Sequence, residues 1–123
     1  MIEDKFWLAI NCYHEARGES IEGQVAVCHV VLNRAEKKKK SVKEIVLQPD
    51  QFSWHNGDAY PAIRDYTSLE KMCIVVEKVF EERSQGKTLS GADHYFADYI
   101  KTPSWAKNMK QVAIIGKHKF FKD

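Results

Sequence analysis

The stretch from Ser20 to Arg34, SIEGQVAVCHVVLNR, constrains the fold more tightly than any other part of this chain. Ile21, Val25, Cys28 and Leu32 recur at helical spacing and make one stripe, while Ala26, Val27, Val30 and Val31 fill the adjoining faces. A helix that is apolar over so much of its circumference has to be buried on several sides. The spacing therefore predicts a central helix with other elements packed around it, and Ser20 supplies the side-chain oxygen that caps its start. With 123 residues the chain has room for one such core, and residues 1–123 are read as a single domain.

The surrounding elements follow from the same periodicity. Phe6, Ala9, Ile10 and Tyr13 predict a first helix from about Glu3 to Ala16 that stops near Gly18. Ser41 and Glu44 form a capping box that opens a short helix through Leu47, ended by Pro49. From Gln48 to Tyr66, Pro49, Asn56, Gly57 and Pro61 alternate with Phe52, Trp54 and Tyr60, which is loop chemistry with a heavy aromatic load. Thr67 and Glu70 predict a second capping box, and Leu69, Cys73, Val76 and Phe80 the buried stripe of a helix ending near Gln85 at Gly86. His94-Tyr95-Phe96 is strand-like, and Gln111 to Ile115 with Lys119 to Phe121 around Gly116-Lys117 predicts a small C-terminal β hairpin. The class is α+β, helix-dominated, with a cleft expected between the two parts.

Charge narrows the partners without choosing among them. The formal net charge is only +2, but Lys37 to Lys40 form one run, and Lys101 to Lys122 carries six lysines and no acid. Such fields favour an anionic polymer. No zinc knuckle, recognition helix or RNP-like strand accompanies the lysines, so nucleic acid is not expected as a partner. No apolar run approaches the ~20 residues of a membrane span, so no stable membrane insertion is expected. The opening MIEDKFWLAINCYHEARGE lacks the basic start and long apolar core of an export signal, so the expected location before any release is the cytoplasm. Cys12, Cys28 and Cys73 show no close zinc-type spacing and are read as buried thiols.

The densest group of reactive side chains is His14-Glu15-Ala16-Arg17-Gly18-Glu19, where the first helix ends. Many such clusters are only charged helix ends, with Glu15 paired to Arg17 or a lysine. Glycosidic bond cleavage is the specific rival. The leaving oxygen must be protonated as the bond breaks, and a carboxylic acid in a partly apolar setting keeps its proton near neutral pH. His14, His94 and His118 raise a zinc amidase as an alternative. No HExxH or comparable pairing accompanies them, and neither a metal nor another cofactor is expected. A wall-binding module without catalysis, built from the basic patches and aromatics, is the other alternative.

The string Glu15-Ala16-Arg17-Gly18-Glu19, followed by Gly23-Gln24-Val25-Ala26-Val27 and Val31-Leu32-Asn33-Arg34, resembles the opening signature of the SleB/CwlJ-type cell-wall hydrolases. Gln51-Phe52-Ser53-Trp54, His94-Tyr95-Phe96-Ala97-Asp98, Pro103-Ser104-Trp105-Ala106 and Ile115-Gly116-Lys117-His118-Lys119-Phe120 resemble its later motifs in the same order. The resemblance thus spans nearly the whole chain. It implies a lysozyme- or lytic-transglycosylase-like fold, acting on peptidoglycan glycan strands at the bond between N-acetylmuramic acid and N-acetylglucosamine; separately, a monomer is expected. It also implies Glu15 as the catalytic residue, which protonates the glycosidic oxygen and then takes a proton from the sugar's own C6 hydroxyl, leaving a 1,6-anhydromuramoyl end. That route needs no second carboxylate, whereas a hydrolytic muramidase would, and Glu19 is its nearest candidate. Glu19 is read instead as structural, paired with Arg17 or Arg34. Phe52, Trp54, Tyr95, Trp105 and His118 are the expected substrate-binding residues, since aromatic faces pack on pyranose rings. Tyr95 is preferred to His94 because neighbours on a strand point to opposite sides. The short, unexported chain points to a bacteriophage endolysin-type member.

Overall fold

The structure, a computed structural model, describes residues 2–48 and 63–123. Helix α2 (Ile21–Lys38) is the predicted centre, with every residue from Gly23 to Asn33 buried. Ser20 caps it by accepting from the Gly23 amide at 3.2 Å. Lys39 closes it in the left-handed region (φ 54°), its N–H reaching the carbonyls of Ala35 and Glu36. One side of α2, through Val25, Cys28, Val31 and Leu32, packs into a helical core with α1 (Ile2–Ala16), α3 (Val42–Leu47) and α4 (Tyr66–Ser84). The other side, through Ala26 and Val30, meets Phe120 of the sheet. Ile21, placed in the stripe by its spacing, is exposed because the first turn of α2 precedes the packed region.

Two predicted stripes are rotated. In α1 the buried apolar residues are Leu8, Ala9, Cys12, Tyr13 and Ala16, which leaves Phe6 exposed and Ile10 half-buried. In α4 they are Met72, Val75, Val76 and Val79, a continuous i, i+3, i+4, i+7 set; Cys73 is exposed, while Leu69 and Phe80 are half-buried. Helix α4 also begins two residues early, because the Asp65 carboxylate accepts from the Ser68 amide at 3.0 Å and takes the capping role expected of Thr67. The Ser41–Glu44 capping box of α3 is present in both directions, at 3.1 Å each way.

Strands β1 (His94–Ala97), β2 (Lys110–Ile115) and β3 (His118–Lys122) form one antiparallel sheet in the order β1-β3-β2. The hairpin turns at Gly116 (φ 57°), and β1 adds to its β3 edge with Tyr95 opposite Phe120 and Ala97 opposite His118. Strand alternation then sorts the side chains: Tyr95, His118 and Phe120 share the face toward the helices, and His94, Phe96 and Phe121 the outer face. Asp93, buried just before β1, locks the sheet to α2. It accepts from Lys37 Nζ at 2.9 Å and from the Asp123 amide at 3.0 Å. Lys37 is therefore bound within the fold, and of the lysine run only Lys38 to Lys40 remain as a purely solvated charge.

A buried polar chain joins α2 to α4. His29 Nε2 donates to Glu82 at 2.9 Å while its Nδ1 faces Arg83 at 3.3 Å, an arrangement that suits the neutral imidazole. Burial lowers its pKa, and the Glu82 bond only partly offsets this. Because the folded pKa lies below the unfolded value of 6.5, the contribution is complete above that pH and declines as the pH falls below it. The melting temperature should accordingly fall between about pH 7.5 and about pH 5.5. A His29→Gln variant should show a shallower decline; an identical slope would remove His29 from the account.

Candidate active site

The last turn of α1 and the start of α2 are held in one fixed relation by a single amide. Gln24 Nε2 donates to the carbonyls of Ala16 (3.3 Å), Arg17 (3.4 Å) and Glu19 (3.3 Å), the backbone on both sides of Gly18. Gly23 lets α2 come close to this turn, since a Cβ there would stand 3.3 Å from Cβ of Glu19. The carboxyl groups of Glu15 and Glu19 thus leave a backbone pinned by buried hydrogen bonds and not by a mobile loop.

Glu15 sits half-buried at the C-terminal end of α1, and burial pushes its carboxyl above the usual range. Arg34 of α2 pulls the other way without cancelling the shift. The Arg34 guanidinium is anchored by a 2.6 Å bond from Nε to the Asp93 carbonyl, so a fixed cation acts on Glu15. Tyr95 stands on the helix-facing side of the sheet, its hydroxyl pushed well above its ordinary range by burial and then by Glu15. Its ring meets that of His118 edge-on at 5.5 Å. His118 Nδ1 lies 3.4 Å from Glu19 Oε1. Cys12 and Cys28 are hydrogen-bonded to each other in the core, and burial first, then Cys28 and Glu15, pushes the Cys12 thiol up, which keeps it neutral beside the site.

The fold therefore brings together Glu15, Glu19, Tyr95 and His118 of the expected site residues, and adds Arg34. Glu19 lies against His118 and not Arg17, whose guanidinium stacks over the Tyr13 ring at 4.8 Å and donates to the Tyr13 carbonyl. Trp105 is not brought to this cluster. It packs edge-on against Phe96 (5.7 Å) and Phe121 (5.5 Å) on the outer face of the sheet, opposite Tyr95, and covers them from solvent. Phe52 and Trp54 lie outside the described residues. The histidines of the zinc alternative are dispersed: His14 packs on Tyr13, His94 bonds Asp93, and His118 faces Glu19. Among the described residues no three His, Cys, Asp or Glu side chains are grouped to hold a metal ion. Sequence reasoning missed Gln24 as the clamp of the turn. Its signal was available, as an amide inside an otherwise apolar helical run.

The sequence profile of one family, Cell Wall Hydrolase, matches residues 18–121. Glu19, Gln24, Arg34, Tyr95 and His118 fall inside the match, and Glu15 stands just ahead of it. The chain is 33% identical over 118 residues to the spore cortex-lytic enzyme of Oceanobacillus iheyensis, covering 94% of this chain and 40% of that protein. Against the spore cortex-lytic enzyme of Bacillus subtilis the identity is 31% over 116 residues, covering 92% and 35%. The chain thus spans two fifths or less of the length of these curated relatives. Among solved structures, the catalytic domain of the germination-specific lytic transglycosylase SleB from Bacillus anthracis superposes with a TM-score of 0.72 at 28% identity, over 97% of this chain and 93% of that one. The catalytic domain of Bacillus cereus SleB gives a TM-score of 0.68 at 27% identity, over 98% and 91%. The helix-dominated α+β fold is shared with these domains and is lysozyme-like.

Proposed function

This chain belongs to the cell wall hydrolase family, and from that premise we propose that it cleaves the glycan strands of peptidoglycan as a lytic transglycosylase, with Glu15 as general acid and then base. The observation that carries the reading is the Glu15 carboxyl itself: burial favours its protonated form, and a fixed guanidinium stands ready to stabilise the charged one. In the first step Glu15 donates its proton to the oxygen between N-acetylmuramic acid and N-acetylglucosamine as that bond breaks, and Arg34 stabilises the carboxylate left behind. The muramoyl C6 hydroxyl then attacks C1 and gives its proton to Glu15, which closes the 1,6-anhydro ring and restores the acid. Glu19, engaged with His118, supports this one-carboxylate route over a hydrolytic muramidase. Tyr95 and His118 are the sugar-facing residues of the reading. Trp54 and Phe52 are their proposed companions.

The test is on purified cell wall, with metal-free buffer and chelator as controls. The expected result is release of soluble glycan fragments at a rate that chelator leaves unchanged. A wall-binding module would sediment with the wall and release nothing, and a zinc amidase would stop with chelator. In the endolysin-type role proposed with this reading, the protein also clears a suspension of growing cells once their membrane has been permeabilised.

A further inference from the structure

Beside Glu19, a groove of about 590 Å³ runs between the start of α2 and one face of α4. Arg17, Glu19 and Ile21 line one side, and Lys71, Ile74 and Lys78 the other. Its charge is unbalanced, with three cations against one carboxylate that already faces His118. Among the described residues neither Arg17, Lys71 nor Lys78 has an ion-pair partner within 4 Å. Asp65, the acid that feels both Arg17 and Lys71, is held by Ser68. Lys78 also borders Glu22 and Glu82 in a neighbouring cavity without pairing to either. Ile21 and Ile74, 61% and 71% exposed, line this same groove and add apolar surface beside the cations.

We infer that this groove binds a short acidic peptide carried by the glycan that the site cuts; the inference rests on the function proposed above. The volume suits a ligand of a few residues. The charge spacing suits a peptide specifically. Lys71 and Lys78 lie two turns apart on one helix face, roughly 10 Å, which is the span of about three residues of extended chain. Two carboxylates at that separation meet the two ammonium groups while small apolar side chains between them cover Ile74 and Ile21. A stripped glycan strand carries only the lactyl carboxylate of each muramoyl residue and no apolar side chains for the isoleucines, and a polyphosphate likewise offers nothing for them. Because Arg17 and Glu19 belong to the turn that carries Glu15, an occupied groove fixes the muramoyl residue bearing the peptide beside the acid.

The test compares glycan strands that keep their stem peptides with strands stripped of them by an amidase, and separately titrates a soluble acidic stem peptide into the protein while following its amide NMR signals. The expected result is a KM about fivefold lower on peptide-bearing strands, from two or three exposed charge contacts of ordinary strength. Shifts should be confined to α4 and the start of α2, and a peptide with its carboxylates amidated should give none. The double variant Lys71→Gln, Lys78→Gln should abolish both the KM difference and the shifts. Equal KM on the two kinds of strand, or a preference that the double variant retains, overturns the inference and leaves the proposed reaction standing. Failure to cut either strand would overturn the proposed reaction, and the titration would still decide the groove.

Discussion

Replacing Glu15 with Gln is expected to lower the rate of wall solubilisation by about 10³-fold or more, within the range seen when a general acid is removed. The amide keeps the size of the side chain and one acceptor but has no proton to transfer at any working pH. The fold should survive unharmed. Burial outweighs the attraction of Arg34 at this position, so the carboxylate is on balance unfavourable there, and a neutral side chain should melt no lower than the wild type at neutral pH. The same shift sets the sign of the pH dependence: as the pH rises through the raised pKa of Glu15, the acid form disappears and the rate falls with it. A variant that loses activity because it unfolds, or one that turns over wall at near-normal rate, contradicts the assignment.

Gln24→Glu should be the most damaging isosteric change in the molecule outside Glu15. The native amide gives its hydrogens to three carbonyl oxygens, and a carboxylate of the same shape would present oxygen to oxygen at those distances. Loss of these buried bonds, with a charge left facing them, costs about 3 kcal/mol, or a drop of about 10 °C in melting temperature for a domain of this size. Activity should fall further than stability alone explains, because the turn that carries Glu15 and Glu19 is released. Lowering the pH restores one donor when the carboxyl is protonated, so part of the melting temperature should return in acid. A variant that melts like the wild type would show that the turn is held by something other than Gln24.

What the sequence made legible was set by local chemistry. The burial of α2 could be read from valines and alanines on adjoining faces, and the capping box of α3 from Ser41 and Glu44, because both patterns act over a few residues. The faces of α1 and α4 were harder. Both carry more apolar residues than one stripe needs, and packing against α2 selected Leu8 over Phe6 and Met72 over Cys73. The EARGE string put Glu15 and Glu19 on either side of the turn after α1, and strand alternation separated Tyr95 from His94. The partner of Glu19 could not be found that way: His118 is distant in sequence and reaches it only when β3 lies on α2. The place of Trp105 was hidden for the same reason. An aromatic residue in a loop reads alike whether it lines a sugar cleft or covers the outer face of a sheet, and only the packing of Phe96 and Phe121 decides.

The most direct measurement is the mass of the glycan ends released from purified wall. The wild-type protein should release muropeptides ending in 1,6-anhydromuramic acid, one water lighter than the reducing-end product, and Glu15→Gln about 10³-fold fewer in the same time. Products carrying only reducing muramic acid ends would contradict the proposed reaction, since they require an activated water and a second carboxylate to hold it.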